Sequence, residues 1–388
     1  MTTQATETKS SASSEVLYMA LELSNTKWKV LFQSGAGRRR EQTVPARDMA
    51  KLLAEIAAAK ARLGLEADAR VVSCYEAGRD GFWLHRALRA NGIENIVVDA
   101  ASIEVSRRAK HQKTDRLDLY KLMSLLLRWA AGEKVWSVVR VPDEAAEDDR
   151  RLSRTLGDLK NERQRHRSRM QSLLITEGIA VGMVGGKHWE ERVRALRRWD
   201  GKPLGPELVE CLLREGERLA FVELQLKALK ARREQLVATA PSKTAEVTRR
   251  LARLGAIAKE SSFLFATEFF AWRTFANRRE VGAALGLTGT PYNSGDSTRE
   301  QGISKAGNAR MRPMMVEISW FWLRYQPESE LTKWFNDRFA KGGTRVRKIG
   351  IVALARKLAV ALWHYLEHDV VPAGASLKPV PVRGGGRP

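Results

Sequence analysis

The sequence predicts an α/β region followed by a longer, almost wholly helical one. Three observations predict it. Between residue 15 and about 132, short runs rich in strand formers alternate with stretches of helical periodicity. From about 144 to 250 the strand signal gives way to leucines at heptad spacing, and beyond 250 the chain stays helical and is punctuated by glycine.

The elements follow in order. VLYMALEL (16–23) and TKWKVLFQ (26–33) are strand-like runs separated by SN, a hairpin signal, and REQTV (40–44) extends the meander. Helical periodicity spans 47–63, ARVVSCYEA (69–77) reads as a buried strand, DGFWLHRALRAN (80–91) as a helix, NIVVDA (95–100) as a strand, and 115–131 as a helix. A meander followed by alternating helices and parallel-type strands is the order of an RNase H-like fold. Leu152, Leu156, Leu159, Met170 and Leu173 share one heptad frame, broken by Arg163 and His166; Leu212, Leu219, Val222, Leu226, Leu229 and Leu236 share another. These predict two long helices forming a coiled coil, either an antiparallel hairpin or a pairing between subunits. Their polar faces, as in NERQRHRSR (161–169), suit either solvent or nucleic acid. RRLARLGAIAKESSFLFATEF (249–269) has helix–turn–helix spacing similar to a degenerate helix-hairpin-helix, with the single glycine Gly255 at the turn. The expected organisation is a disordered tail 1–14, an α/β domain 15–143, a helical coiled-coil region 144–248, a mainly helical domain 249–370 and a disordered basic tail 371–388.

Composition limits the partners. The 388 residues carry 67 Lys and Arg against 45 Asp and Glu, a formal charge of +22. That excess calls for a polyanion, nucleic acid or an anionic membrane surface. The longest apolar runs, SSFLFATEFFAW (261–272) and IGIVALARKLAVALW (349–363), are shorter than the roughly 20 residues of a membrane span or carry internal charge, so no membrane role is expected. The polar start lacks the apolar core of a signal peptide. Cys74 and Cys211 form no disulfide framework, and the expected compartment is the cytoplasm. His364 and His368 stand at i, i+4 without an HExxH pattern and read as helix surface.

Four carboxylates stand out against this basic background. In HQKTDRLDLYKL (111–122), Asp115 and Asp118 share a helix face and repel by a few tenths of a kcal/mol. Two readings fit the pair: capping at a helix start, where the dipole favours anions, or a divalent-cation site. Glu22 ends the first strand in an otherwise apolar run, and Glu76 ends the buried strand VVSCYE. Strand-end carboxylates and two on a following helix would converge at one sheet edge, an arrangement that cations would stabilise.

ALELSN with Glu22, YEAGRD with Glu76 and KTDRLD with Asp115 and Asp118 resemble the acidic-tetrad motifs of the insertion-sequence 110 family of transposases, which are related to the Piv and MooV DNA invertases and are bridge-RNA-guided recombinases. Glu22 replaces the family's Asp, and Asn25 its Lys. LGLTGTPYNSGDSTREQGISKAGNARMRPMMVE (285–317) resembles the family's transposase domain, with G-L-T, Y-x-S-G and S-K-x-G-N in the same order. The resemblance covers most of 16–370. It implies a RuvC-like domain whose Glu22, Glu76, Asp115 and Asp118 hold Mg²⁺ or Mn²⁺, a nucleophilic Ser294 that forms a phosphoserine link to DNA, a structured bridge RNA, and a dimer or tetramer whose subunits share active sites. Arg299, Lys305, Arg310 and Arg312 surround the serine motif and suit phosphate positioning. Ser297 and Ser304 are the neighbouring hydroxyls, with Ser304 expected to N-cap a helix over KAGNARMR. Arg345, Arg347 and Lys348 in KGGTRVRKIG (341–350), and the Arg-rich stretch 149–169, are candidate nucleic-acid surfaces. A metal-dependent RuvC-like nuclease or junction resolvase without serine chemistry, and a noncatalytic nucleic-acid-binding protein, are the competing readings.

Overall fold

The computed structural model describes residues 16–103, 115–180, 182–294 and 297–379. The chain divides between Val141 and Pro142 into two compact units.

The first unit is built on a five-stranded mixed sheet. Its strands are β1 (Val16–Glu22), β2 (Lys27–Ser34), β3 (Arg39–Pro45), β4 (Arg70–Glu76) and β5 (Glu94–Val98), in the spatial order β3-β2-β1-β4-β5. The β1–β2 and β2–β3 pairs are antiparallel; β1–β4 and β4–β5 are parallel. Central strands reached by crossovers are covered on both faces, which is why β1 and β4 read as nearly continuous apolar runs. Leu17, Met19, Leu21, Val71 and Tyr75 pack with Leu52, Ile56, Leu84 and Leu88 of α1 (Met49–Leu63) and α2 (Trp83–Ala90). Alternate residues Val16, Ala20, Val72 and Cys74 pack on the other face with Leu119, Leu122, Met123 and Leu126 of α3 (Asp115–Ala130). Asp48 caps α1 by accepting from the Lys51 amide at 2.9 Å, and Gly64, at φ 73°, ends it in the left-handed conformation. The helix expected over 80–91 starts only at Trp83, whose ring meets Trp28 at a centroid distance of 5.8 Å.

The second unit opens with a helical hairpin. α4 (Glu144–Thr176) and α6 (Pro206–Thr239) run antiparallel: Leu156 packs with Val222 and Leu226, whereas Met170 and Leu174 pack with Leu212 and Leu219. Of the two pairings the heptads allowed, the chain makes the one within itself. Asp143 starts α4 by accepting from the Ala146 amide at 2.7 Å. Between the helices, α5 (Trp189–Ala195) inserts Trp189 over Gly216, where an added Cβ would sit 2.3 Å from the indole. A glycine inside a helix costs about 1 kcal/mol, and here it makes room for a buried tryptophan that donates to the Leu212 carbonyl at 3.0 Å.

A larger core follows, made by α7 (Lys243–Ala252), α8 (Lys259–Phe265), a π-helical turn at Ala266–Phe270, α9 (Arg278–Ala284), α10 (Met311–Tyr325), α11 (Glu330–Phe339) and α12 (Thr344–His368). α12 is long and apolar enough by composition to cross a membrane. Its Ala355, Leu358, Ala359 and Leu362 are buried among Phe269, Met315 and Trp322, and its Leu354 packs with Phe335, the pattern of a core helix. An added Cβ at Gly255 would lie 2.8 Å from Gln326 Nε2, so the glycine makes room for that side chain. Gln326 in turn binds the Ser376 backbone (2.9 and 2.8 Å), while Lys378 Nζ donates to the Ala252 and Ile257 carbonyls. Residues 371–379, expected to belong to a disordered tail, therefore pack along the core through backbone hydrogen bonds that composition does not reveal. The expected tail segments 1–14 and 380–388 lie outside the described residues.

One buried charge pins the helical hairpin. Glu215 accepts from His166 Nδ1 (2.6 Å), Arg169 (2.7 Å) and Arg218 (2.7 Å). Burial pushes its carboxyl up, and the hydrogen bonds of His166, Arg169 and Arg218 overcome this and hold it at about 2. A lowered folded-state pKa gives stability that is full above the unfolded carboxyl range and is lost as pH falls through the folded value. Helical signal and thermal stability should therefore fall between about pH 4.5 and pH 2. Glu215→Gln should be less stable at neutral pH and lose part of that acid dependence in circular dichroism; superimposable acid titrations of the two proteins would refute the assignment.

Candidate functional site

In the first unit the acidic residues gather by strand register. Leu21 of β1 pairs with Tyr75 of β4, so the next step sets Glu22 beside Glu76 at the ends of adjacent parallel strands, about 4.8 Å apart at Cα. Leu21 and Tyr75 face α1 and α2; by alternation, Glu22 and Glu76 belong to the face covered by α3. α3 begins at Asp115, and half-buried Asp118 stands one turn further on. Asp99 directly follows β5 at the same edge of the sheet and was not singled out by sequence; its position immediately after a buried strand was the available signal. The donor set is entirely hard oxygen, which fits Mg²⁺ or Mn²⁺ better than a soft metal. Among the described residues, no three His, Cys, Asp or Glu side chains are already gathered as a metal-binding group, and the Asp115 side chain lies outside those residues.

In the second unit the serine motif forms a β-hairpin, an element absent from the helical expectation. β6 (Gly289–Ser294) and β7 (Ser297–Ile303) pair antiparallel, with Tyr292 opposite Arg299 and Ser294 opposite Ser297 in the last pair of the ladder. Their sequences, GTPYNS and STREQGI, are polar and hold proline and glycine, which hides strand character. Side chains of residues 291–301, including Ser294 and Arg299, lie outside the described residues.

Two motif segments clamp the base of this hairpin. The Ser304 amide donates to the Thr288 carbonyl (2.9 Å), Lys305 to Gly286 (3.1 Å) and Asn308 to Ala284 (2.9 Å). Backbone meets backbone at the crossing: a Cβ on Gly307 would lie 2.5 Å from the Gly286 nitrogen, and one on Gly286 2.8 Å from the Lys305 carbonyl carbon. Lys305 itself takes φ 56°, and Arg312 braces both strands of the crossing by donating to the Leu285 (3.3 Å) and Lys305 (2.8 Å) carbonyls. The helix cap expected of Ser304 belongs instead to Asn308, whose Oδ1 accepts from the Arg310 and Met311 amides at 3.0 Å each, because the helix starts only at Met311.

Asn308 links this loop to a buried carboxylate that sequence reasoning passed over. Its Nδ2 donates to the Glu268 carbonyl at 3.2 Å. Glu268, fully buried in the π-helical turn, is held by Arg154 Nε (2.9 Å) and Nη2 (3.3 Å), with Arg150 at 3.6 Å. Burial raises its pKa and the Arg154 hydrogen bonds, the two guanidinium charges and Asn308 more than reverse this, leaving it below the ordinary glutamate value. The available signal was a lone carboxylate inside an apolar run, SSFLFATEFFAW, which demands a partner.

The expected phosphate ligands divide by environment. Arg310 pairs with Asp158 of α4 at 3.3 Å, over Gly157, and Arg312 donates to backbone carbonyls. Lys305 is exposed beside the hairpin base. Arg345 and Lys348, with Arg356, line an open cleft of about 830 Å³ whose apolar walls include Leu287, Ile303 and Val352. Arg347 is exposed on the first turns of α12 with its guanidinium 5.9 Å from the Trp320 ring centroid.

Comparison with known proteins places this architecture. Residues 249–333, which hold the hairpin and its clamp, match the profile of the Transposase IS116/IS110/IS902 family. The chain is 40% identical over 377 residues to "Putative transposase y4rJ" of Sinorhizobium fredii (strain NBRC 101917 / NGR234), covering 93% of this chain and 94% of that protein. It is 29% identical over 289 residues to "Putative transposase y4qE" of the same organism, covering 74% and 67%. Over 219 residues it is 26% identical to "Transposase for insertion sequence element IS1328" of Yersinia enterocolitica, covering 55% and 60%. The class is thus a transposase, an enzyme that binds, cuts and rejoins DNA. Within that class the chain belongs to the IS116/IS110/IS902 family.

The geometry gives two stability expectations. Glu268→Ala leaves Arg150 and Arg154 without their buried anion and should destabilise the protein by about 3–5 kcal/mol, read as a lower denaturation midpoint. Gly307→Ala forces a methyl into the Gly286 backbone and should destabilise by about 1–3 kcal/mol. A wild-type midpoint for either variant would show that the clamp does not hold the fold.

Proposed function

We propose that this transposase is the recombinase of an insertion sequence and works through a covalent link between Ser294 and DNA. The supporting observation is the placement of Ser294 in the last pair of a β-hairpin whose base is fixed by motif segments 284–288 and 304–308. In the reaction the Ser294 hydroxyl gives up its proton and its oxygen attacks a DNA phosphorus; the Oγ–P bond forms as the bond to a deoxyribose oxygen breaks, and that oxygen leaves with the electron pair and takes up a proton to become a hydroxyl. Rejoining reverses the step with a deoxyribose hydroxyl from another end, so bond energy is kept and no nucleotide cofactor is consumed. Lys305 and the cations of the 830 Å³ cleft, Arg345 and Lys348, suit the positioning of phosphates near the hairpin.

The sheet order β3-β2-β1-β4-β5, with its first three strands antiparallel and the rest parallel, supports an RNase H-like, RuvC-like reading of the first unit. Glu22, Glu76, Asp115 and Asp118 would hold Mg²⁺ or Mn²⁺ at its edge. A bound cation there supplies Lewis-acid stabilisation of phosphoryl charge. In this reading the carboxylates of one subunit serve Ser294 of another within a dimer or tetramer. A structured bridge RNA pairs with donor and target DNA, and the protein, at +22, neutralises the phosphates.

End-labelled element-junction DNA incubated with protein, flanking-region RNA and Mg²⁺, then resolved on a denaturing gel with and without protease, tests the chemistry. A protease-sensitive DNA adduct is expected for wild type and absent in Ser294→Ala. Asp118→Asn is expected to lower adduct formation by at least about a hundredfold, the scale of one electrostatic catalytic group. Free cleavage products that survive Ser294→Ala but require Asp118 would replace this reading with a metal-dependent nuclease.

A further inference from the structure

α10 buries one face and leaves an aromatic one outside. Met311, Met315, Ile318 and Trp322 pack into the core. Around its solvent-facing arc Trp320, Phe321 and Tyr325 are 40%, 39% and 52% exposed, Trp320 and Tyr325 at the two edges and Phe321 between them. Each end of this stripe carries a cation over a ring. The Arg347 guanidinium lies 5.9 Å from the Trp320 centroid, and that of Arg324 lies 5.5 Å from Tyr325. Phe321 and Tyr325 lie 6.3 Å apart with their planes 30° from parallel. Next to Trp320, the Phe335 ring of α11 meets it edge-on at 6.4 Å and supports it from below. The neighbouring Trp334 repeats the arrangement, with Lys357 Nζ at 4.8 Å and Arg338 at 5.7 Å from its centroid.

Charge selects the occupant. Residues 311–360 hold ten Lys and Arg against four Asp and Glu. A second copy docked symmetrically on this face would oppose like charges, Arg324 and Arg347 among them, which is destabilising. A DNA duplex would satisfy the cations but leave the rings unused, since its bases are stacked inside. Unpaired nucleotides use both: their phosphates meet the guanidinium groups and their bases stack on exposed aromatic rings. We propose that the Trp320–Phe321–Tyr325 face of α10, with Arg324 and Arg347, is a binding surface for single-stranded nucleic acid. The inference goes beyond the serine chemistry and does not depend on it, because binding is read without cleavage.

Fluorescence anisotropy of a labelled oligodeoxythymidylate, compared with a labelled duplex of equal length, tests it on the full chain. Trp320→Leu and Tyr325→Leu are each expected to weaken single-strand binding by about tenfold, the scale of one stacked base, with duplex binding unchanged. Trp320→Phe, which keeps a ring, should stay near wild type. Both leucine variants alter exposed positions, and unchanged circular-dichroism melts check that the fold is retained. Unchanged single-strand affinity in both variants would overturn the proposal, as would equal losses for strand and duplex. If the leucine substitutions instead dissociate an oligomer in sedimentation while oligonucleotide affinity stays the same, the face is a contact between copies and the proposal is wrong.

Discussion

The second unit depends on what happens to the charge of Glu268. A carboxylate buried at 0% exposure is stable only when paired, and its partners come from two distant parts of the sequence: Arg150 and Arg154 of α4, and Asn308 of the loop that clamps the hairpin. One side chain therefore connects the start of the long helical hairpin, the core and the base of the strand pair carrying Ser294. The π-helical turn places it there by bulging the helix at Ala266–Phe270, where the Ala271 amide reaches back five residues to the Ala266 carbonyl.

The first unit was legible in the sequence because its physics is local and periodic. Alternating apolar strands and 3.6-residue helices gave every strand of the sheet to within a residue or two, and the heptads gave α4 and α6. The second unit was legible only where apolar periodicity was strong. The β6–β7 hairpin escaped because GTPYNS and STREQGI carry turn residues and polar side chains, and its base is fixed by backbone hydrogen bonds between segments 284–288 and 304–308, which leave no periodic signal. The same reason explains residues 371–379, whose hold on the core runs through Gln326 and carbonyl oxygens. Glu22 and Glu76 could be read as strand ends from the sequence, whereas their shared face follows only from the parallel register of β1 and β4.

Cationic side chains in this protein do not form one class. Arg310 and Arg312 sit inside the run SKAGNARMR and look from sequence like phosphate ligands; in the fold one pairs with Asp158 and the other donates to backbone carbonyls. They hold the clamp in shape. Lys305, Arg345, Arg347 and Lys348 are exposed. Cations that look alike in sequence thus differ in what they bind within the fold, and hydrogen bonding separates them.

The helical hairpin has a consequence for length. At 1.5 Å per residue, the 33 residues of α4 span about 50 Å. Its core end is fixed by Arg150 and Arg154 on Glu268, and the packing partners further along are set by Glu215, which accepts from α4 through His166 and Arg169. Sliding one helix past the other would strand that carboxylate, so α4 and α6 keep one alignment. The pair therefore behaves as a ruler with a locked scale: whatever meets exposed Met183 and Trp199 at its far end is held at a set reach from the hairpin of Ser294. Inserting or deleting a heptad in both helices would move that reach by about 10 Å.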